Sequence, residues 1–410
     1  LVALFVLAFS LICLPQAWIY STWLRQNIYA AAAAFVGLWV LQEWFRGWFL
    51  SGFPWLFLGY GVMETPLVDF APFLGVFGVS LATCAFSVCF VLAMRQRRGV
   101  VLILPLAVIA LSLAAGSVSL TRHQEDISVS LVQGNVDQHI KWRPNNRLPI
   151  IRRYLSASAS EWGRDLIVWP EAAITVFRDD ARIILDEIEL KGAKLGTTLL
   201  TGIPHLDEKG STQNTVLALG DGSGQYIKRR LVPFGEYVPL DGILRGLIHF
   251  FDLPMSRNTP GPWLQPPLMA GELLLSISIC YEVVYPELVR QSTRDADLLV
   301  TVSNDTWFGS SIGPWQHIQM ARMRALENGR FMVRATNNGI TAVIDHRGNL
   351  KSSLPQFKAG VLRGDVEIRT GSTFFNQFGS LPSFVLCFML ILVSALQSQK
   401  LSRTHGDVKS

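Results

Sequence analysis

Charge is scarce in this chain. Lys, Arg, Asp and Glu make up 16% of its 410 residues, while half are hydrophobic. That balance excludes a disordered chain and points to a membrane protein with room for two domains. Cysteine is scarce too, and it is sorted. Of the five, Cys13, Cys84, Cys89 and Cys387 fall in apolar runs, so Cys280 is the lone thiol of the polar part, which cannot form an internal disulfide. No CxxC and no His/Cys pair at ligand spacing is present; neither a structural zinc site nor any cofactor is expected. None of His123, His139, His205, His249, His317 or His346 sits in a Cys–His protease setting, and each reads as an ordinary polar residue. The net charge of +5 comes without a nucleic-acid motif; Arg95, Arg97 and Arg98 read as a membrane-flanking cluster instead. An initiator Met and a charged leader are missing ahead of the first apolar run, so Leu1 reads as a truncation point and not as the start of a signal peptide.

What is present begins with apolar runs. Leu1–Tyr20, Ile28–Phe49, Ala71–Met94 and Val100–Leu120 approach or exceed the roughly 20 residues that cross a bilayer, and Leu381–Leu396 is a shorter fifth candidate. Placing Arg95–Arg98 and the tail residues Lys400, Arg403 and Lys409 on the cytoplasmic side puts the polar stretch on the opposite face. The reading divides the chain into a helical bundle (1–120), a globular domain (121–380) and a last span with its tail (381–410). Between the second and third spans, Glu43–Tyr60 is dense in Trp, Phe and Tyr. It reads as an interfacial belt or as a floor for lipid, with Glu43 and Arg46 pairing or snorkelling.

The polar stretch alternates strand and helix. Strands are expected at Ile127–Gln133, Asp165–Trp169, Thr198–Gly202, Leu273–Ile279, Asp297–Val302, Phe331–Thr336 and Ile340–Asp345. Helices are expected at Arg147–Glu161, Arg178–Leu195 and Trp315–Gly329, with another opened near Pro286. Asn214–Leu219 and Gln225–Lys228 make a hairpin around the turn Asp221–Gly224. Strand and helix in turn imply an α/β layered domain.

Chemistry concentrates at strand ends. Leu273–Ile279 runs into Cys280 at a strand-to-helix elbow, where following N–H groups would favour thiolate and hold an oxyanion. An inert core cysteine is the plain alternative. Glu171 follows Trp169-Pro170 and could be a base, a solvated carboxylate or a helix cap. Lys228, followed by Arg229 and Arg230, could stabilise an oxyanion or sit on a solvated basic edge. A carboxylate, an ammonium and a thiol at such ends can converge on one pocket.

Glu171, Lys228 and Cys280 in that chain order resemble the Glu-Lys-Cys triad of the nitrilase superfamily. Their flanks are similar to the bacterial apolipoprotein N-acyltransferase family: LVQGNVDQHIKW (131–142), IVWPEAAI (167–174), KRRLVPFGEYVPL (228–240), FFDLPMS (250–256), ICYE (279–282), SNDTWFG (303–309), RALENGR (324–330) and, in the apolar part, RGWFLSGFPWLFLGY (46–60). The family's membrane part has more spans than are read here. The resemblance implies an α-β-β-α sandwich inserted in a transmembrane helical bundle of the bacterial inner membrane, with the catalytic domain on the periplasmic face. It implies transfer of an acyl chain from phospholipid to Cys280 as a thioester, and then to the α-amino group of a diacylglyceryl-cysteine apolipoprotein. It gives supporting roles to Glu236, Tyr281 and Glu282, a lid or lipid contact to Trp142, and a positioning role to Asn214. From the residues themselves, Gly242–Met255 reads as an apolar arm whose Phe250 and Phe251 dip into lipid, or as core. A membrane-tethered amidase or nitrilase using the same three residues is the second reading, and a non-catalytic scaffold the third.

Overall fold

The computed structural model describes residues 2–25, 27–96, 102–238 and 258–406. The chain divides into two units, Leu1–Ser119 with Gln377–Ser410, and Leu120–Asn376.

The first unit is helical. Ile28–Arg46, Pro66–Gln96 and Leu381–Ser398 are long and apolar enough to cross a bilayer. Val2–Ile19 is also helical and contains Pro15. The fourth expected span is shorter than its apolar run: the helix covers Ile103–Gly116, about 21 Å at 1.5 Å per residue against a hydrocarbon core of about 30 Å. Gly37 lets two helices meet, since a Cβ there would stand 2.7 Å from the Cys387 carbonyl oxygen, and small residues are what close helix contacts in lipid require. Glu43 and Arg46 do not pair simply with each other. Glu43 accepts from the Leu58 backbone N–H at 2.7 Å and from Trp39 Nε1 at 3.1 Å. Arg46 donates to the Leu56 carbonyl at 3.2 Å. Both side chains satisfy the irregular backbone after the second helix, which an apolar surrounding would otherwise leave costly.

The second unit is built on two sheets. Its strands are β1 (Thr121–Gln133), β2 (Leu166–Val168), β3 (Thr198–Leu206), β4 (Thr212–Gly220), β5 (Gly222–Ser223), β6 (Gln225–Ile227), β7 (Leu268–Ala270), β8 (Leu273–Ile279), β9 (Leu298–Ser303), β10 (Met332–Thr336), β11 (Ala342–Ile344), β12 (Leu350–Ser353) and β13 (Gly360–Gly371). Among the described residues, one sheet has the order β13-β1-β2-β3-β4-β6 and the other β12-β11-β10-β9-β8-β7-β5. Alternation along each strand assigns its two faces. Leu166 and Val168 join Leu275, Ile277, Ile279, Val300 and Val333 in a core between the sheets. Ile167 points the other way, into a second core with Ile150, Ile151 and Tyr154 of the helix Arg147–Ala157 and with Leu185 and Ile188 of the helix Arg182–Leu195. The helix Pro286–Thr293 buries Leu288 and Val289, and Gly313–Asn328 is buried along most of its length. The result is the expected α-β-β-α sandwich.

The sheets depart from the sequence reading in several places, the unexpected short strands β7 and β12 among them. The expected turn Asp221–Gly224 is also a strand: Gly222 and Ser223 pair with Ala270 and Met269 of β7, so the β4–β6 hairpin reaches into the other sheet. The 12-residue strand β13 was not expected, yet it pairs antiparallel with β1 along nearly its whole length.

Candidate active site

Cys280 directly follows β8, a strand held between β7 and β9. Its φ is +53°, a left-handed conformation that a non-glycine residue adopts only when its surroundings enforce it. The chain does not enter a long helix there. A short 3-10 turn, Cys280–Val284, comes first, and the helix opens at Pro286. Proline explains the gap: it fits the first helical position but pushes the residue before it out of the helical region, and Tyr285 lies at φ −93°, ψ 104°. The expected thiolate stabilisation by a helix end is therefore not what the structure shows. Burial pushes the Cys280 thiol up to about 12, the Glu171 carboxylate pushes in the same direction, and Lys228 opposes both.

Glu171 stands on a turn beyond β2. Trp169 is tied to the Leu200 carbonyl of β3, and Ala172 has φ +47°. Gly202 of β3 admits this turn: a Cβ there would lie 2.4 Å from the Ala172 nitrogen and 2.7 Å from the Pro170 oxygen. Glu171 Oε1 accepts from Asn214 Nδ2 at 2.7 Å and from Lys228 Nζ at 3.3 Å, and Oε2 accepts from the Asn304 N–H at 2.8 Å. Lys228 follows β6, and its N–H donates to the Asn214 carbonyl. Its Nζ is closest to Glu236 Oε1, at 2.8 Å. Burial alone would push this ammonium down, but Glu236 and Glu171 overcome it and hold the group above the ordinary lysine value. Glu236 Oε2 in turn accepts from the Val232 N–H at 2.8 Å.

Glu282 is fully enclosed and joins the two loops. Its carboxylate accepts from the N–H groups of Ile279 (2.8 Å), Arg229 (2.6 Å) and Arg230 (3.1 Å), and from the Tyr226 hydroxyl (3.0 Å). Burial raises its pKa while these backbone donors pull it down. The cysteine elbow and the Lys228 loop are thus fixed to one side chain. Tyr281 stands edge-on to Tyr285, with ring centroids 5.3 Å apart. Trp142 is half-buried after the short helix Gln138–Lys141, and its buried Nε1 has no partner among the described residues. Phe250 and Phe251, with the whole of the expected arm Gly242–Met255, lie outside the described residues.

Sequence reasoning missed the group behind the elbow. His317 Nε2 lies 3.1 Å from the Cys280 carbonyl oxygen, and Nδ1 lies 3.0 Å from Arg334 and 3.1 Å from Asp305. Arg334 also donates to Asp305 at 2.8 Å. Burial, with Arg334 beside it, pushes the imidazole pKa down. The Nε2 side of the ring meets the Cys280 carbonyl, while Nδ1 faces both the Arg334 guanidinium and the Asp305 carboxylate. Asp305 would be raised by burial, but Arg334 and His317 hold it well below the carboxylate range. His317 is therefore more than the ordinary polar residue it appeared in sequence; no local pattern marks it, because its partner lies 37 residues earlier. Lys141 was missed as well. Fully buried, it donates to the Glu171 carbonyl oxygen at 3.1 Å. Among the described residues no three His, Cys, Asp or Glu side chains converge as a metal set.

Comparison with known proteins gives two family matches. A family described as carbon-nitrogen hydrolase fits residues 128–373, and the apolipoprotein N-acyltransferase N-terminal domain fits residues 1–89. An apolipoprotein N-acyltransferase of Pseudomonas syringae pv. tomato is 42% identical over 98% of this chain and 82% of its own length. One of Pseudomonas putida is 44% identical over 94% of this chain and 79% of its own length. A third, of Vibrio vulnificus, is 39% identical over 89% of this chain and 76% of its own.

Proposed function

The chain belongs to the apolipoprotein N-acyltransferase family, and we propose that it transfers an acyl chain from phospholipid to the N-terminal diacylglyceryl-cysteine of apolipoproteins through a thioester on Cys280. The observation that carries the chemical reading is the meeting of three groups: Glu171 and Lys228 are in contact, and both act electrostatically on the Cys280 thiol. With a neutral thiol at rest, nucleophile activation must coincide with attack. Glu171 takes the sulfur's proton as sulfur adds to the sn-1 ester carbonyl, and Lys228 with the N–H after Cys280 stabilises the oxyanion. The tetrahedral adduct collapses by breaking the ester C–O bond; Glu171 returns the proton to the leaving glycerol oxygen, and lysophospholipid departs. In the second half-reaction the neutral α-amine attacks the thioester carbonyl. Glu171 takes the amine proton, the C–S bond breaks, and the proton passes to sulfur, leaving amide product and free thiol.

Glu236 holds the lysine, Asn214 positions Glu171, Glu282 fixes the two loops, and Tyr281 shapes the rim of the elbow. Trp142 offers an indole N–H and an apolar face to lipid; Phe250 and Phe251 belong to the proposed lipid-dipping arm. The same reading puts the protein in the bacterial inner membrane, with Arg95–Arg98 and the C-terminal basic residues cytoplasmic and the sandwich on the periplasmic face.

The test is intact-protein mass spectrometry after exposure to phospholipid vesicles. The expected result is an acyl adduct on Cys280 that is absent in Cys280→Ala and is discharged by a diacylglyceryl-cysteine peptide but not by water. Discharge by water at the same rate would support the hydrolase reading instead, and no adduct on Cys280 would overturn the nucleophile assignment.

A further inference from the structure

Three consecutive cations follow β6, and the fold treats them differently. Lys228 is taken up by Glu236 and Glu171. Arg229 is tied down: its Nε donates to the Tyr226 hydroxyl at 2.9 Å and one terminal nitrogen to the Trp263 carbonyl at 2.8 Å. Arg230 differs. Its guanidinium has neither a hydrogen-bond acceptor nor a carboxylate partner among the described residues, and its Nε is buried without one. It is nonetheless held in place. The guanidinium lies 5.4 Å from the Trp263 ring centroid and 5.1 Å from that of Tyr285, and its backbone N–H donates to Glu282.

Two aromatic rings occupied with a guanidinium leave its edge, which carries the donors, for a ligand. A buried N–H without an acceptor is costly in the free protein, and an incoming anion would satisfy it. The position adjoins the segment that follows Cys280. Arg230 is two residues beyond Lys228, one of its rings belongs to Tyr285 on the turn out of Cys280, and its charge acts on the Tyr281 hydroxyl. Among the described residues no carboxylate pairs with its guanidinium, which leaves that charge for a ligand.

We propose that Arg230 is the binding site for the phosphodiester anion of the acyl-donor lipid. The inference rests on the phospholipid-donor reading above and adds to it a residue and a step. A glycerol backbone alone separates the sn-1 ester from the phosphate, so a headgroup anchored at Arg230 would present its ester toward Cys280. The acceptor, a diacylglyceryl thioether, has no phosphate. Arg230 therefore acts in the first half-reaction and not in the second.

The test uses the full chain in nanodiscs, with Arg230→Gln and Arg230→Lys, and follows Cys280 acylation by mass spectrometry. Donors are phosphatidylglycerol, diacylglycerol with the same acyl chains, and a soluble nitrophenyl ester. Acylation by phosphatidylglycerol should fall about 10- to 100-fold in Arg230→Gln, the range of a lost charge-assisted hydrogen-bonded pair, and less in Arg230→Lys. Both phosphate-free donors, and discharge of preformed acyl-enzyme by diacylglyceryl-cysteine peptide, should keep wild-type rates. An equal loss with all donors in both variants would mean a structural role and overturn the proposal; so would an unchanged rate with phosphatidylglycerol. Millimolar inorganic phosphate should not slow the wild type, and strong competition would reassign the site to free phosphate. A wild type acylated by nitrophenyl ester but not by phosphatidylglycerol would instead overturn the donor reading beneath it.

Discussion

Two lysines flank Glu171, equally buried and held in opposite ways. Lys228 is 1% exposed, touches the carboxylates of Glu236 and Glu171, and is held above the ordinary lysine value. Lys141 is 0% exposed and touches the Glu171 main-chain oxygen; burial pushes it down to about 8, with the Glu171 charge opposing. Burial is common to both, so the difference comes from carboxylate contact. Two carboxylates at hydrogen-bond range outweigh desolvation, and a carbonyl dipole does not. Lys228 is thus a permanent cation suited to a developing oxyanion, while Lys141 acts as a clamp on the turn that carries Glu171.

The largest expected effect breaks this comparison directly. Lys228→Met should slow Cys280 acylation by phospholipid by about 3–4 kcal/mol in barrier, the scale of a lost oxyanion donor. Glu171→Gln should be at least as severe, since no base then remains for the thiol. Lys141→Met, which leaves the triad intact, should lose less than about tenfold, because only one hydrogen bond to a backbone carbonyl, away from the reacting atoms, is removed. Single-turnover acylation measures all three, and equal losses for the two lysine variants would end the distinction.

A smaller effect is expected behind the elbow. His317→Asn keeps an amide near Arg334 and Asp305 but no longer reaches the Cys280 carbonyl, whereas His317→Gln reaches it. Losing that donor should cost about 1–3 kcal/mol, divided between stability and acylation rate. Rescue by Gln but not Asn would identify positioning of Cys280; identical behaviour of the two would reduce His317 to packing.

These clusters also explain what the sequence could disclose. The strand Leu273–Ile279 and its Cys280 terminus were legible with correct bounds, because an apolar run ending before a proline-opened helix is local information. Three of the five apolar runs read as spans were legible for the same reason, as helices long and apolar enough to cross a bilayer. The strand β13 was not: its pairing partner β1 lies more than two hundred residues away, and its burial alternates too irregularly to announce a strand. Glu171, Lys228 and Cys280 were reached through flanking motifs, but Lys141 sat inside one of those motifs without a signal. Its role depends on a carbonyl oxygen 30 residues on, and no spacing rule points to a backbone atom. The helix was read as opening near Pro286, as it does, but its end was credited with acting on the thiol; the 3-10 turn Cys280–Val284 lies between the two.

That correction gives the third prediction. With its thiol pushed up to about 12, Cys280 should react with iodoacetamide about tenfold faster per pH unit from pH 6 to 9, since the thiolate fraction rises without saturating. Lys228→Met should slow the reaction throughout, because the cation that favours thiolate is gone. A plateau below pH 8 would show a thiolate at rest and return the helix-end account.

The smallest effect concerns Lys141, and its sign distinguishes it from Lys228. Below pH 8 the lysine is charged in both folded and unfolded chains, and the folded state carries the full cost of burying it. Between about 8 and the unfolded value of 10.5, the folded group is neutral while the unfolded one still holds its proton. The unfolded state then binds more protons, so stability rises with pH across that window. One pH unit inside the window is worth about 1 kcal/mol. Cys280, raised above its ordinary value, works in the other direction only above pH 9, which leaves pH 7 to 9 as the interval to measure. Denaturation of the wild type and of Lys141→Met in the same detergent should show their difference shifting by about 1 kcal/mol in favour of the wild type over that interval. A constant difference would mean that Lys141 stays charged in the fold as Lys228 does, and that its main-chain contact holds a cation as well as two carboxylates do.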